Sequence, residues 1–241
     1  MFGLDFSLTV SATKKPRSVT FLPTDLADLL GWYDPSDLTT LYQDAAMTIP
    51  VASSGDPVGA MLDKSGNGFH LVALSEAARP TLVDVSGSAA LSFDGIDDNL
   101  SAIAPFLSPQ PNTIACKLMM RGIGSKLYND IILGSADNGI TTLEATDILG
   151  IYAGQKISSS NFPLLVNQPF DVVGVYNAAS SNIYAEGALV ASGNVGTAGL
   201  GTLQLGGILS ASRYAQFDFF GGAIVGGLLT EAERNSLRAV I

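Results

Sequence analysis

Histidine, cysteine and tryptophan each occur once, as His70, Cys116 and Trp32. A single cysteine excludes an intrachain disulfide. One histidine and one cysteine cannot complete a four-ligand zinc site. A nucleophilic triad would have to use His70. That residue follows the Asn67-Gly68 turn by two positions and reads as a surface or half-buried structural side chain. Cys116 alternates with Ile114 and Leu118, so it is expected to face the core as a small hydrophobe. Charge is scarce as well. Asp, Glu, Lys and Arg are 14 % of the 241 residues, against about a quarter in an ordinary domain. The balance is acidic, with 22 Asp and Glu against 12 Lys and Arg and a net charge of −10. Nucleic acid is therefore not an expected partner, because phosphate binding needs clustered cations. No apolar run reaches the roughly 18 residues of a membrane helix, so no membrane insertion is expected. No GxxxxGK or GxGxxG loop is present to cradle a phosphate. The first residues read MFGLDFSLTVSATKKPRS. Asp5 interrupts the apolar stretch and the basic residues come after it, the wrong order for a signal peptide.

What the chain does have is apolar residues, 47 % of the total, and 26 glycines. That is ample for the core of one large β domain with a short extension. A disordered chain would be charge-rich and apolar-poor instead. A surface of Ser, Thr, Asn and Gly fits a protein packed in an assembly or working outside a cell. Residues 1–22 read as an N-terminal extension, and residues 23–241 as the folded unit, with a lead-in over 23–88. In the extension Phe2, Leu4, Phe6, Leu8 and Val10 alternate with Gly3, Asp5, Ser7 and Thr9, the period of a strand. Such a strand can pair with its own sheet or dock on a neighbouring subunit. Lys14, Lys15 and Arg17 form the one basic cluster; it is either a solvated tail or a contact for an acidic neighbour.

In the lead-in, Thr24 can cap a short helix over 25–30, with Leu26, Leu29 and Leu30 on its apolar face and Gly31 ending it. Asp34-Pro35 reads as a capped turn, and Asp63-Lys64-Ser65-Gly66-Asn67-Gly68 as another. From residue 89 the pattern is all β. Strands are expected at 90–93, 113–120, 130–133, 148–152, 170–176, 182–186, 188–191, 202–205 and 216–225. Thr230-Glu231-Ala232-Glu233 is a capping box that opens a C-terminal helix. The expected fold is all-β: a two-sheet antiparallel sandwich with a short N-terminal helix and a C-terminal helix.

Several of these segments resemble a known family. Leu91-Ser92-Phe93-Asp94-Gly95-Ile96-Asp97-Asp98 resembles the opening strand pair of laminin-G-like, concanavalin-like jelly rolls. Phe170 to Tyr176 with Ile183-Tyr184-Ala185-Glu186-Gly187 is similar to their central hairpin, Glu186 standing where Asp is usual. Phe220-Gly221-Gly222 and the helix from Thr230 resemble their closing strand and helix. The lead-in is narrower in its likeness. Trp32-Tyr33-Asp34-Pro35-Ser36-Asp37-Leu38, Leu62-Asp63-Lys64-Ser65-Gly66-Asn67-Gly68 and Arg79-Pro80-Thr81-Leu82 resemble the lead-in of phage and prophage virion proteins that carry this jelly roll. The resemblance implies a virion component: a head or tail decoration, spike or fibre protein. Its partners would be other virion proteins, further copies of itself, and host-surface polysaccharide.

The chemistry of the side chains points away from catalysis. Glycosidases on concanavalin-like folds commonly set two acidic residues two apart on one strand, aimed at one face. Only Glu231 and Glu233 have that spacing, and capping explains them. The sequence is therefore expected to be non-enzymatic. No cofactor is expected, except that some laminin-G relatives hold Ca²⁺ at the sandwich rim. Asp97, Asp98, Asp137, Asn138 and Asp147 are the candidate donors, at turn positions where Asp and Asn are common without a metal. Tyr128, Tyr152, Tyr176, Tyr184 and Tyr214 could stack on sugars, though strand packing accounts for such residues equally. Two functions stay open: a virion structural protein, and a soluble carbohydrate-binding module or lectin with or without a rim Ca²⁺.

Overall fold

A computed structural model of the chain describes residues 21–102, 108–122, 131–143, 148–163 and 166–241. In chain order its strands are β1 (Leu29–Tyr33), β2 (Leu41–Tyr42), β3 (Ala60–Met61), β4 (Leu71–Val72), β5 (Thr81–Val85), β6 (Ser88–Asp94), β7 (Leu100–Ala102), β8 (Asn112–Met120), β9 (Ile131–Ser135) and β10 (Asn138–Leu143). There follow β11 (Ile148–Tyr152), β12 (Lys156–Pro163), β13 (Phe170–Tyr176), β14 (Ser181–Ala185), β15 (Ala188–Gly193), β16 (Gln204–Leu205), β17 (Gly207–Ile208), β18 (Arg213–Tyr214), β19 (Gln216–Val225) and the helix α1 (Glu231–Arg238). Two large antiparallel sheets result. The first runs β15-β14-β13-β8-β19-β6-β5, with β1 also paired to β19. The second runs β12-β11-β10-β9-β16-β7-β4-β3-β2. The all-β sandwich expected from the sequence is what forms.

Strand alternation places each side chain. Along β8, Ile114, Cys116, Leu118 and Met120 enter the core between the sheets, while Ala115 belongs to a second apolar cluster on the outer face. Cys116 is fully buried, and burial holds its thiol protonated far above the ordinary value. In the second sheet Leu100, Leu205, Leu133, Ile140 and Ile151 stand in one register row, all inside. Phe93 and Phe217 stack across β6 and β19 with ring centres 4.8 Å apart. Two strands fold a tyrosine ring back over their own backbone. Tyr33 lies over Gly31 and Tyr176 over Gly174, where an added Cβ would meet ring atoms at 3.2 and 3.1 Å. The Tyr33 hydroxyl donates to the Phe69 carbonyl at 2.7 Å, whereas the buried Tyr176 hydroxyl has no partner among the described residues.

The lead-in is built into both sheets. β1 and β5 join the first, and β2, β3 and β4 join the second. The expected helix over 25–30 is not there. The helical segment is a 3-10 turn at Pro23–Asp25, and Leu29–Tyr33 is a strand. The first half of β19 pairs with β6 and the second half with β1, from Leu29↔Val225 to Tyr33↔Gly222. That ladder outweighs the helical spacing of the leucines, and Asp28, at φ 57°, turns the chain into it. Gly31 is thus a strand residue under Tyr33 rather than a helix cap. The C-terminal helix forms as read. Thr230 Oγ1 accepts from Glu233 N at 3.2 Å, and Glu233 Oε2 accepts from Thr230 N at 2.7 Å. Leu237 anchors α1 on the outer face of the first sheet, beside Ala115, Val173, Val175 and Ala223.

Candidate functional site

Three places stand out among the described residues for the polar side chains they bring together. The first is the lead-in motif. Asp63, 7 % exposed, accepts hydrogen bonds from the N–H of Trp32 (3.0 Å), Ser65 (2.8 Å) and Phe69 (3.2 Å) and from Ser65 Oγ (2.7 Å). Lys64 Nζ sits 2.8 Å from Asp34, 2.9 Å from Asp37 and 4.4 Å above the Trp32 ring. Partial burial opposes the lysine charge, but the hydrogen bonds to Asp34 and Asp37 hold its pKa above the ordinary value. Asn67 Nδ2 donates to the carbonyls of Leu29 and Leu30. His70 Nδ1 accepts from Asp63 N at 3.0 Å, which fixes it as a structural acceptor. The motif is a clamp on β1: its carboxylates, lysine and amide are spent on their neighbours, while the buried Trp32 Nε1 has no hydrogen-bond partner among the described residues.

The second place is the rim turn between β6 and β7. Carboxylate oxygens of Asp94, Asp97 and Asp98 lie within 4.8 Å of one another. Asp94 Oδ1 accepts from Ile96 N at 2.7 Å, and Asp98 Oδ2 from Asp94 N at 2.8 Å. Asp98 is 6 % exposed, and its carboxyl is pushed up to about 7. Burial is the main cause; the Asp94 N–H opposes it, and the neighbouring Asp94 and Asp97 charges add to it. Asn99 follows with its Oδ1 buried and without a partner among the described residues. Of the expected Ca²⁺ donors, Asp97 and Asp98 come together here, and Asp94, which sequence reasoning passed over, completes the group. These three could hold a cation. Asp137 is exposed on the β9–β10 turn, at the opposite end of the sandwich from this rim, and the buried Asn138 beside it donates its Nδ2 to the Ala198 carbonyl while its Oδ1 has no partner among the described residues. Asp147 and Tyr128 lie outside the described residues, as do Phe2, Leu4, Phe6, Lys14, Lys15 and Arg17. At the same rim Arg121 Nη2 lies 2.5 Å from Oδ2 of the wholly buried Asp218, a charge contact rather than an aligned hydrogen bond.

The third place is a groove of about 240 Å³ between α1 and the β13–β14 hairpin. Val173 and Tyr184 form its floor; Glu231, Arg234, Asn235 and Arg238 form its wall. The Arg234 guanidinium stacks 4.2 Å over the Tyr184 ring and donates to the Leu229 carbonyl at 2.7 Å. Arg238 makes a two-pronged contact with Asp171, which holds its pKa above the ordinary value. Sequence reasoning saw Tyr184 as one strand aromatic among several and did not connect it to the arginines of the C-terminal helix. Of the other tyrosines, Tyr176 is core, while Tyr152 and Tyr214 are half-buried strand residues.

No protein-family model matches the chain, and neither does any curated protein sequence. Solved structures do. Trypanosoma rangeli sialidase in complex with sialic acid matches 88 % of this chain over 33 % of its own length, at TM-score 0.59 and 12 % identity. Domain 4 of AbnA, a GH43 extracellular arabinanase from Geobacillus stearothermophilus in complex with arabinotriose, matches 88 % of this chain over 98 % of its own, at TM-score 0.57 and 13 % identity. A GH54 α-L-arabinofuranosidase matches 76 % of this chain over 50 % of its own, at TM-score 0.59 and 16 % identity. The chain thus spans about a third of the sialidases it matches. These likenesses are of fold. They also correct the expectation of a non-enzymatic chain, because a sialidase, a domain of an arabinanase and an arabinofuranosidase share the sandwich. The expectation had rested on acidic pairs two apart along a strand. Folding groups carboxylates by other routes, as the turn holding Asp94, Asp97 and Asp98 does.

Proposed function

We propose that this chain is a carbohydrate-recognition sandwich, of the kind found within glycoside-active proteins. The observation that carries the reading is the match to an arabinanase domain in complex with arabinotriose, extending over nearly all of that domain. Sialidase and arabinofuranosidase chains with the same sandwich support the same substrate class. The polar, weakly charged surface suits hydroxyl-rich ligands better than polyanions. The likeness of residues 32–82 to phage virion proteins supports a particle-borne setting with host-surface polysaccharide as the partner. The test is calorimetric titration of the full chain with arabinotriose, arabinan and sialosides, beside a glycan array. Saturable binding to at least one of them is the expected result. No binder above background on either platform would overturn the reading. Sugar-release assays on the same samples separate binding from turnover.

A further inference from the structure

We infer that the groove between α1 and the β13–β14 hairpin is a subsite for one neutral sugar residue, gripped through adjacent hydroxyls by Arg234 and Glu231. The inference rests on the carbohydrate reading above and gives it a place. Arg234 is the first support. Its plane is fixed from two sides, by the Tyr184 ring at 4.2 Å and by the Leu229 carbonyl at 2.7 Å. Yet among the described residues no carboxylate comes within ion-pair distance of it, in a chain of net charge −10. A guanidinium carries five N–H donors in a rigid fork. One of them meets the Leu229 carbonyl, and spare donors remain for a ligand. Arg238, one helical turn on, contrasts with it: Asp171 takes up its fork.

The acceptor side is supplied by Glu231. It is exposed on the same wall, and among the described residues no hydrogen bond or ion pair engages its carboxylate. Positions 231, 234, 235 and 238 recur at helical spacing, so they form one stripe facing the groove. Asn235 follows Arg234 on that stripe, one helical turn on from Glu231, and its Oδ1 accepts from Arg238 Nη1 at 3.4 Å. A sugar hydroxyl both donates and accepts, so a pair of adjacent hydroxyls can accept from Arg234 while donating to Glu231. A carboxylated sugar would satisfy Arg234 but meet repulsion from Glu231. Tyr184 offers its edge and hydroxyl to the ring, since Arg234 occupies one of its faces. The volume, about 240 Å³, lies below the roughly 300 Å³ at which drug-sized pockets begin and suits a single sugar ring.

The test is titration of the full chain with arabinotriose, a panel of neutral oligosaccharides and sialosides, alongside Glu231→Gln, Asn235→Ala and Arg234→Lys. Glu231 and Asn235 are exposed, so their variants should keep the parent's thermal midpoint. Each variant is expected to lose about tenfold in affinity, the scale of one hydrogen bond to a charged group. Sugar binding that is unchanged in Glu231→Gln and Asn235→Ala would overturn the subsite and leave the carbohydrate reading intact. Failure of the parent to bind any sugar would overturn both. Binding confined to sialosides would overturn the neutral-sugar assignment.

Discussion

The lead-in clamp and the rim turn are both built from aspartates, and they differ in what answers the charge. In the clamp, Asp34 and Asp37 share Lys64, and Asp63 is filled by four hydrogen bonds. In the rim turn, Asp94, Asp97 and Asp98 have, among the described residues, only backbone N–H groups and one another. One group is closed chemistry and holds the fold. The other is held in a state that a proton or a cation would relieve. The difference teaches that acidic residues in a turn cannot be ranked as candidate sites until their donors are known.

The comparison breaks first at Asp63. Asp63→Ala strands the N–H groups of Trp32, Ser65 and Phe69 around a buried gap. It should cost about 3–4 kcal/mol of unfolding free energy, read by denaturant titration. Asp98 tests the other side through pH. Its folded pKa, about 7, lies above the ordinary 3.8, so the folded state holds the proton more tightly. The stabilisation is complete below about pH 4 and fades as pH rises through 7, a loss of about 2 kcal/mol once solvent screening is allowed for. Asp98→Asn should flatten the stability profile between pH 4 and pH 8; an unchanged slope would move its origin elsewhere. The smallest effect is Lys64→Met. It removes the cation shared by Asp34 and Asp37 but keeps apolar cover over Trp32. A loss of about 1 kcal/mol is expected at low salt, shrinking as salt is added.

Strands with clear alternation were legible in the sequence: β6, β8, β13 and β19 fall where period-two patterns place them. β12 was not, because Lys156-Ile157-Ser158-Ser159-Ser160 is a polar sheet edge that alternates little. β10 was hidden too, since Asn138 reads as turn chemistry while serving as the strand's first residue. β1 was mistaken for helix because its partner, the far half of β19, lies nearly two hundred residues away in sequence. The rim turn was half legible. Asp97 and Asp98 stood out, and Asp94 could have been found from the same Asp-Gly-Ile-Asp-Asp run. The groove was not legible, because nothing local links Tyr184 to Arg234; only the docking of α1 through Leu237 brings them together.

The two folded-back tyrosines tie positions of the sequence to one another. At 31 and 33, and again at 174 and 176, the smaller residue exists to give room to the larger. Descendants of this chain should therefore change each pair together or not at all. The ties are not equally strict. Tyr33 donates to Phe69, so phenylalanine there forfeits a hydrogen bond, whereas the Tyr176 hydroxyl has none to forfeit. Among relatives, position 176 should accept phenylalanine freely while glycine persists at 174, and position 33 should stay tyrosine wherever the lead-in is kept.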